Sequence, residues 1–190
     1  SRHPDAVQFV RSLREDLARR DFTVNAMAYS PKKGLQDPFG GQEDLRAGMI
    51  RAVGNPNKRF QEDALRILRG MRFAARLGFS IEGATFEAML SEKSRLDSLA
   101  RERVFSELSQ LLLAADADHL LRYAPLIAQV IPELEAAIGF DQHSPHHAFD
   151  IYTHICHVVE AAPKALPLRW AALLHDVGKP ETFFRGEDGV

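Results

Sequence analysis

Cysteine is almost missing from this chain: Cys156 is the only one in 190 residues. No disulfide can close within it, which excludes a small disulfide-stapled scaffold. Long apolar runs are missing too, since none approaches the ~20 residues that cross a bilayer. Together these absences predict a soluble, cytoplasmic protein with no membrane partner. Internal repeats and low-complexity stretches are also lacking, so neither a solenoid nor a disordered linker is expected. A large net charge is the last thing missing. The balance is −2, which on its face argues against a nucleic-acid partner.

The total hides a division. Residues 1–76 hold fifteen Lys+Arg against nine Asp+Glu, a balance of +6, whereas residues 77–190 stand at −8. A basic first part suits phosphates, and an acidic second part suits scaffold. At ~100–200 residues per domain the chain should hold one or two domains. "SLRE" at 12–15 has the form of a capping box and predicts a short helix to about Arg20. "GLQDPFGGQEDLRAGMIRAV" combines short apolar runs with Pro38, Gly40 and Gly41 and a brief helical segment at 42–47, which is turn chemistry around small strands. Beyond Asn57 the strand signals stop, and helical patterns follow at roughly 59–77, 84–95, 100–114, 116–123, 125–138, 147–162 and 166–177. Gly54-Asn55-Pro56-Asn57 is the natural junction. The missing initiator Met and the strand-like opening predict an internal stretch of a longer chain.

"RFQEDALRILRGMRFAARLGF", residues 59–79, reads as one helix. At ~100° per residue, Glu62, Asp63, Arg66, Arg69, Gly70, Phe73 and Arg76 share a sector, and Ala64, Ile67, Leu68, Met71, Ala74 and Ala75 face the core. Asp63 accepts and Arg66 donates, and at i and i+3 their tips can converge on one flat ligand. Cytosine and adenine each present an amine donor beside a ring-nitrogen acceptor; uracil and guanine present the reverse. Such a pair would accept C and A and reject U and G. The alternative is an exposed face of intrahelical ion pairs.

"RRDFTVNAMAY" (19–29), "DPFGGQEDL" (37–45), the helix at 59–79 and "ARERVFSEL" (100–108) stand in an order and spacing that resembles the bacterial tRNA nucleotidyltransferases, or CCA-adding enzymes, and the related poly(A) polymerases. The resemblance implies an α+β fold. Residues 1–55 would be the rear of a nucleotidyltransferase head with short strands, 56–120 an all-α neck that recognises the base, and 121–190 the start of a helical body. It implies that Arg19, Arg20, Asp21 and Asn25 contact sugar and triphosphate, that Asp63 and Arg66 pair with the base, and that Arg69 and Arg72 lie near phosphate. Glu62, Arg103 and Glu107 would be structural support. The implied reaction adds CMP and AMP from CTP and ATP to a tRNA 3′ end and releases pyrophosphate; poly(A) addition is the near alternative.

In that family paired aspartates on an early strand hold two Mg²⁺ ions. Asp5, Asp16 and Asp37 show no Asp-x-Asp arrangement, so no catalytic residue is assigned here, and the chain alone is expected to be inert. His154 with His175-Asp176, in "LLHDVGKP", resembles the first parts of an HD metal-dependent phosphohydrolase signature and implies a possible divalent metal. The later histidine and aspartate of that signature are absent. His143, His146, His147 and His157 are substitute ligands on this reading. An HD phosphohydrolase and a non-catalytic RNA-binding module are the rivals from other classes.

Overall fold

The computed structural model describes residues 12–140 and 149–182. Helix α1 (Leu13–Ala18) opens it, two residues short of the predicted Arg20. The capping box does not form. The Ser12 side chain makes no cap bond; its carbonyl takes the first helical amides instead. A 3₁₀ turn (Thr23–Asn25) leads to a hairpin, β1 (Ala28–Ser30) antiparallel to β2 (Gly34–Gln36). Then come α2 (Gly41–Ala47) and β3 (Met49–Ile50). Gly41 is required where it stands, because a Cβ would strike the Thr23 carbonyl.

The helix expected at 59–77 is two helices, α3 (Pro56–Glu62) and α4 (Leu65–Leu77). They part at Asp63, whose backbone is extended at φ −152° and ψ 104°. The reason is local. Asp63 caps α4: its carbonyl accepts from Arg66 N and its Oδ1 from Leu65 N at 3.1 Å, the geometry of an N-cap aspartate. Periodicity continues across such a break, so the sequence pattern does not register it.

Strands do not stop at Asn57 either. β4 (Ser80–Ile81) follows α4 and pairs in parallel with β3, Ile50 opposite Ile81. Then come α5 (Gly83–Ser91), a 3₁₀ stretch (Lys93–Ser98), α6 (Arg101–Ala114), α7 (Ala117–Arg122), α8 (Ala124–Val130) and a further 3₁₀ stretch (Pro132–Ala137). The patterns at 84–95 and 125–138 therefore each cover an α-helix and a 3₁₀ segment. α9 (Ile151–Ala161), α10 (Leu166–Leu174) and α11 (Lys179–Thr182) complete the described chain. One continuous core runs from Phe22 and Ile50 through Ile67, Met71 and Leu111 to Ile155 and Leu173. α4 lies along α6 at its centre. Among the described residues no helix is long and apolar enough to cross a membrane.

Candidate functional site

The site is built where the loop at 19–25 meets the start of α4. Two guanidinium groups cap the end of α1 from outside it: Arg59 donates to the Ala18 carbonyl at 2.8 Å and Arg66 to the Arg19 carbonyl at 3.0 Å. Helix C-termini attract such cations, because their last carbonyls lack partners and carry partial negative charge. Arg66 also donates to the Arg59 carbonyl at 3.2 Å and to Glu62 Oε2 at 3.0 Å. Glu62 takes Arg59 as well. The Arg66 fork is thus held by three acceptors.

Asp63 is the open member. Its Oδ1 is used by Leu65 N, and its Oδ2 receives Arg103 at 3.1 Å across a bridge whose side chains are 47% and 35% exposed. Arg66 N donates to the Asp63 carbonyl at 3.1 Å, while the two side chains have separate partners: Arg103 for the Asp63 Oδ2, and Glu62 and the Arg19 carbonyl for the Arg66 guanidinium. A base donating an amine to Oδ2 would have to displace or share it with Arg103.

The remaining predicted contacts divide by burial. Arg19 and Arg20 are exposed, Arg20 beside Asp16 at 3.6 Å. Asp21 and Asn25 turn inward. Asp21 is buried; its Oδ2 takes Arg69 Nε at 2.6 Å, and its Oδ1 takes Asn25 Nδ2 at 2.6 Å and Phe22 N at 3.1 Å. Burial alone would push its pKa up, but the bonds from Arg69 and Asn25 outweigh that and hold it below 3.8. Arg72 is buried and donates to Glu107 Oε2 at 2.6 Å, and its guanidinium lies 4.3 Å from the centre of the Phe73 ring. Arg69 and Arg72 thus face carboxylates, not an open phosphate position. Gly70 does admit a close neighbour, but that neighbour is protein: a Cβ there would meet Met89 and, at 2.9 Å, Phe22 Cζ. The sequence reading missed Arg59 as a cap and Phe22 as the ring seated on Gly70. Arginine spacing on one helix carries no information about a carbonyl forty residues away.

A profile described as "Poly A polymerase head domain" matches residues 1–51, and one described as "Probable RNA and SrmB- binding site of polymerase A" matches residues 78–138. The Multifunctional CCA protein of Chromobacterium violaceum is 41% identical over 180 residues, 90% of this chain and 44% of the relative. The CCA-adding enzyme of Streptococcus pyogenes is 55% identical over 113 residues, 60% of this chain and 28% of the relative. The crystal structure of the Bacillus stearothermophilus CCA-adding enzyme in complex with CTP aligns at a TM-score of 0.64 and 37% identity, over 90% of this chain and 41% of that one. The chain belongs to the tRNA nucleotidyltransferase and poly(A) polymerase family. It spans less than half the length of these relatives.

A nucleotidyltransferase of this family calls for Mg²⁺, which takes oxygen ligands in octahedral array. The described residues do not fit it. Their one close group of possible metal ligands is His154, His175 and Asp176, a nitrogen-rich set that suits a transition metal. Within it, His154 Nε2 and His175 Nε2 are 3.3 Å apart, and Asp176 Oδ2 lies 3.6 Å and 3.3 Å from them. Ligands bonded to a metal at ~2.0–2.2 Å are separated by about this much. Lys179 Nζ sits on the same oxygen at 2.7 Å. His157 instead faces Glu160 at 3.7 Å, and His143, His146 and His147 lie outside the described residues. Burial pushes the Cys156 thiol up to about 12, which leaves it no use as a nucleophile.

Proposed function

We propose that this chain reads the incoming base for CCA addition, the transfer of CMP and AMP from CTP and ATP to the 3′ end of tRNA with release of pyrophosphate. The observation that carries the reading is Asp63, a half-exposed carboxylate freed from the helix, beside an arginine clamped by the 19–25 loop. The solved relative with CTP, aligned over nine-tenths of the chain, supports it. Asp63 Oδ2 accepts from the amine of C or A, and Arg66 donates to the neighbouring ring nitrogen. Arg103 shares the carboxylate and holds it in place between turnovers. Arg19 and Arg20, exposed at the end of α1, are the cations left for triphosphate. Head, neck and body are proposed at 1–55, 56–120 and 121–190. Mg²⁺ would supply activation of the 3′ hydroxyl and stabilisation of pyrophosphate; no residue described here is assigned to it.

Incorporation of CTP and of ATP by the whole protein, on a tRNA ending at its discriminator base, tests this function. Addition of C, C and A supports it, and addition of A alone turns the reading to poly(A) synthesis. The 190-residue chain by itself should not extend a primer with Mg²⁺ and CTP. A second reading, divalent-metal phosphohydrolysis, is favoured by the convergence of His154, His175 and Asp176. Metal-dependent phosphate release that is lost in His175→Ala would establish it.

A further inference from the structure

The arginines of α4 differ in one respect. Arg66 has Glu62, Arg69 has Asp21 and Arg72 has Glu107. Arg76, one turn further on, is exposed and forms no ion pair with a described residue. It lines a recess of about 460 Å³ together with Gln110 of α6 and Lys164, which stands between α9 and α10. Lys164 also has no ion-pair partner among the described residues. Leu113 and Ala114 add an apolar surface, and no carboxylate lines the recess among the described residues. Two cations and a carboxamide around one concavity, without an acid, attract an anion and supply only neutral or cationic polar groups to it.

We propose that Arg76 and Lys164 form a subsite for a backbone phosphate of the RNA being extended. The proposal rests on the function given above, because it takes RNA as the second substrate. A phosphate could also come from the nucleotide's own triphosphate, but the placement favours RNA. The 19–25 loop, which carries Arg19 and Arg20, meets α4 at Arg66 and Arg69. Arg76 lies ten residues past Arg66, about 15 Å along the helix axis, at the end away from that loop. The recess is also lined by α6 and by the α9–α10 connection. A ligand seated there spans both halves of the helical part, as a stem held beside the base-reading end would.

The test compares the chain with a double variant, Arg76→Gln with Lys164→Gln, and a charge-keeping one, Arg76→Lys with Lys164→Arg. Affinity for an acceptor-stem RNA hairpin lacking CCA is measured by anisotropy over a salt series, with CTP binding measured in parallel. Loss of one phosphate contact lowers the slope of log K against log salt by about 0.9, which is roughly fivefold in affinity at about 0.15 M salt. The glutamine pair should show that loss, the charge-keeping pair should restore both affinity and slope, and CTP binding should stay unchanged. RNA binding with the original affinity and slope in the glutamine pair would overturn the subsite. So would a loss of CTP binding equal to the loss of RNA binding, which would assign the cations to triphosphate. If the chain fails to prefer CTP over UTP while the RNA slope shifts as expected, base reading falls and the subsite stands.

Discussion

Arg69 leaves α4 and donates Nε–H to Asp21 Oδ2 at 2.6 Å, joining residues 48 positions apart. The carboxylate is buried, and without the arginine it keeps only Asn25 and a backbone amide. Removing one partner of a buried pair strands the other charge. Arg69→Ala should therefore cost about 3 kcal/mol of stability, read from urea unfolding, before any effect on nucleotide binding is considered. An unchanged midpoint would show that the pair contributes nothing.

The same pair sets an acid limit. Asp21 is held below 3.8 in the folded chain, so its contribution is present above that pH and is lost as pH falls through the lower folded value. Urea midpoints between pH 3 and 6 should show this acid-side loss in the native sequence and a smaller one in Arg69→Ala. Equal slopes in both would remove Arg69 as the cause.

In the whole protein, Asp63→Ala should relax base choice by about 1–3 kcal/mol, the scale of a good base contact. Arg103→Ala frees the carboxylate and should relax it less. In the Asp63→Ala background, Arg103→Ala should add nothing, because its bond to Oδ2 is already gone. Single-turnover rates with CTP, ATP, UTP and GTP decide: full discrimination in Asp63→Ala ends the base-reading role.

Gly70→Ala adds one methyl where Phe22 and Met89 already touch the helix backbone. Overpacking of this kind costs about 1–3 kcal/mol. A thermal melt unchanged from the native chain would show that the Phe22 ring moves aside freely.

Lys179 competes with a cation for Asp176. Weak divalent binding is expected in the native chain, and Lys179→Met should tighten it by on the order of tenfold, since two like charges at close range repel by a few kcal/mol or less in a solvated site. Calorimetry with Mn²⁺ and Zn²⁺ checks it. No gain in the variant would mean that the three ligands do not act together.

Much of this architecture was legible in the sequence, and the omissions share a cause. The helical periods at 100–114 and 116–123 and the turn at Gly40-Gly41 follow from local pattern, and the structure has helices at Arg101–Ala114 and Ala117–Arg122 and a left-handed Gly40 before α2. The break at Asp63 was hidden because an N-cap interrupts the backbone without interrupting the apolar spacing. β4 was hidden because two residues carry no alternation. At the candidate site, the residue types were visible and their partners were not. Arg69 and Arg72 resembled phosphate ligands only until Asp21 and Glu107 appeared beside them.

The parallel pairing of β3 with β4 bears on how this chain could be recombined with its relatives. The turn at 54–57 invites a splice, yet the segments on either side of it are knit together. Met49 and Ile50 pair with Ser80 and Ile81, Ala52 N donates to Thr85 Oγ1 at 3.1 Å, and Arg51 reaches Glu82 at 3.1 Å. A chimera cut at residue 55 would need the foreign half to reproduce each of these partners. A cut after Ser91 would keep these partners together but would part α4 from α6, so the foreign half would then have to supply the mates of Asp63 and Arg72, which are Arg103 and Glu107.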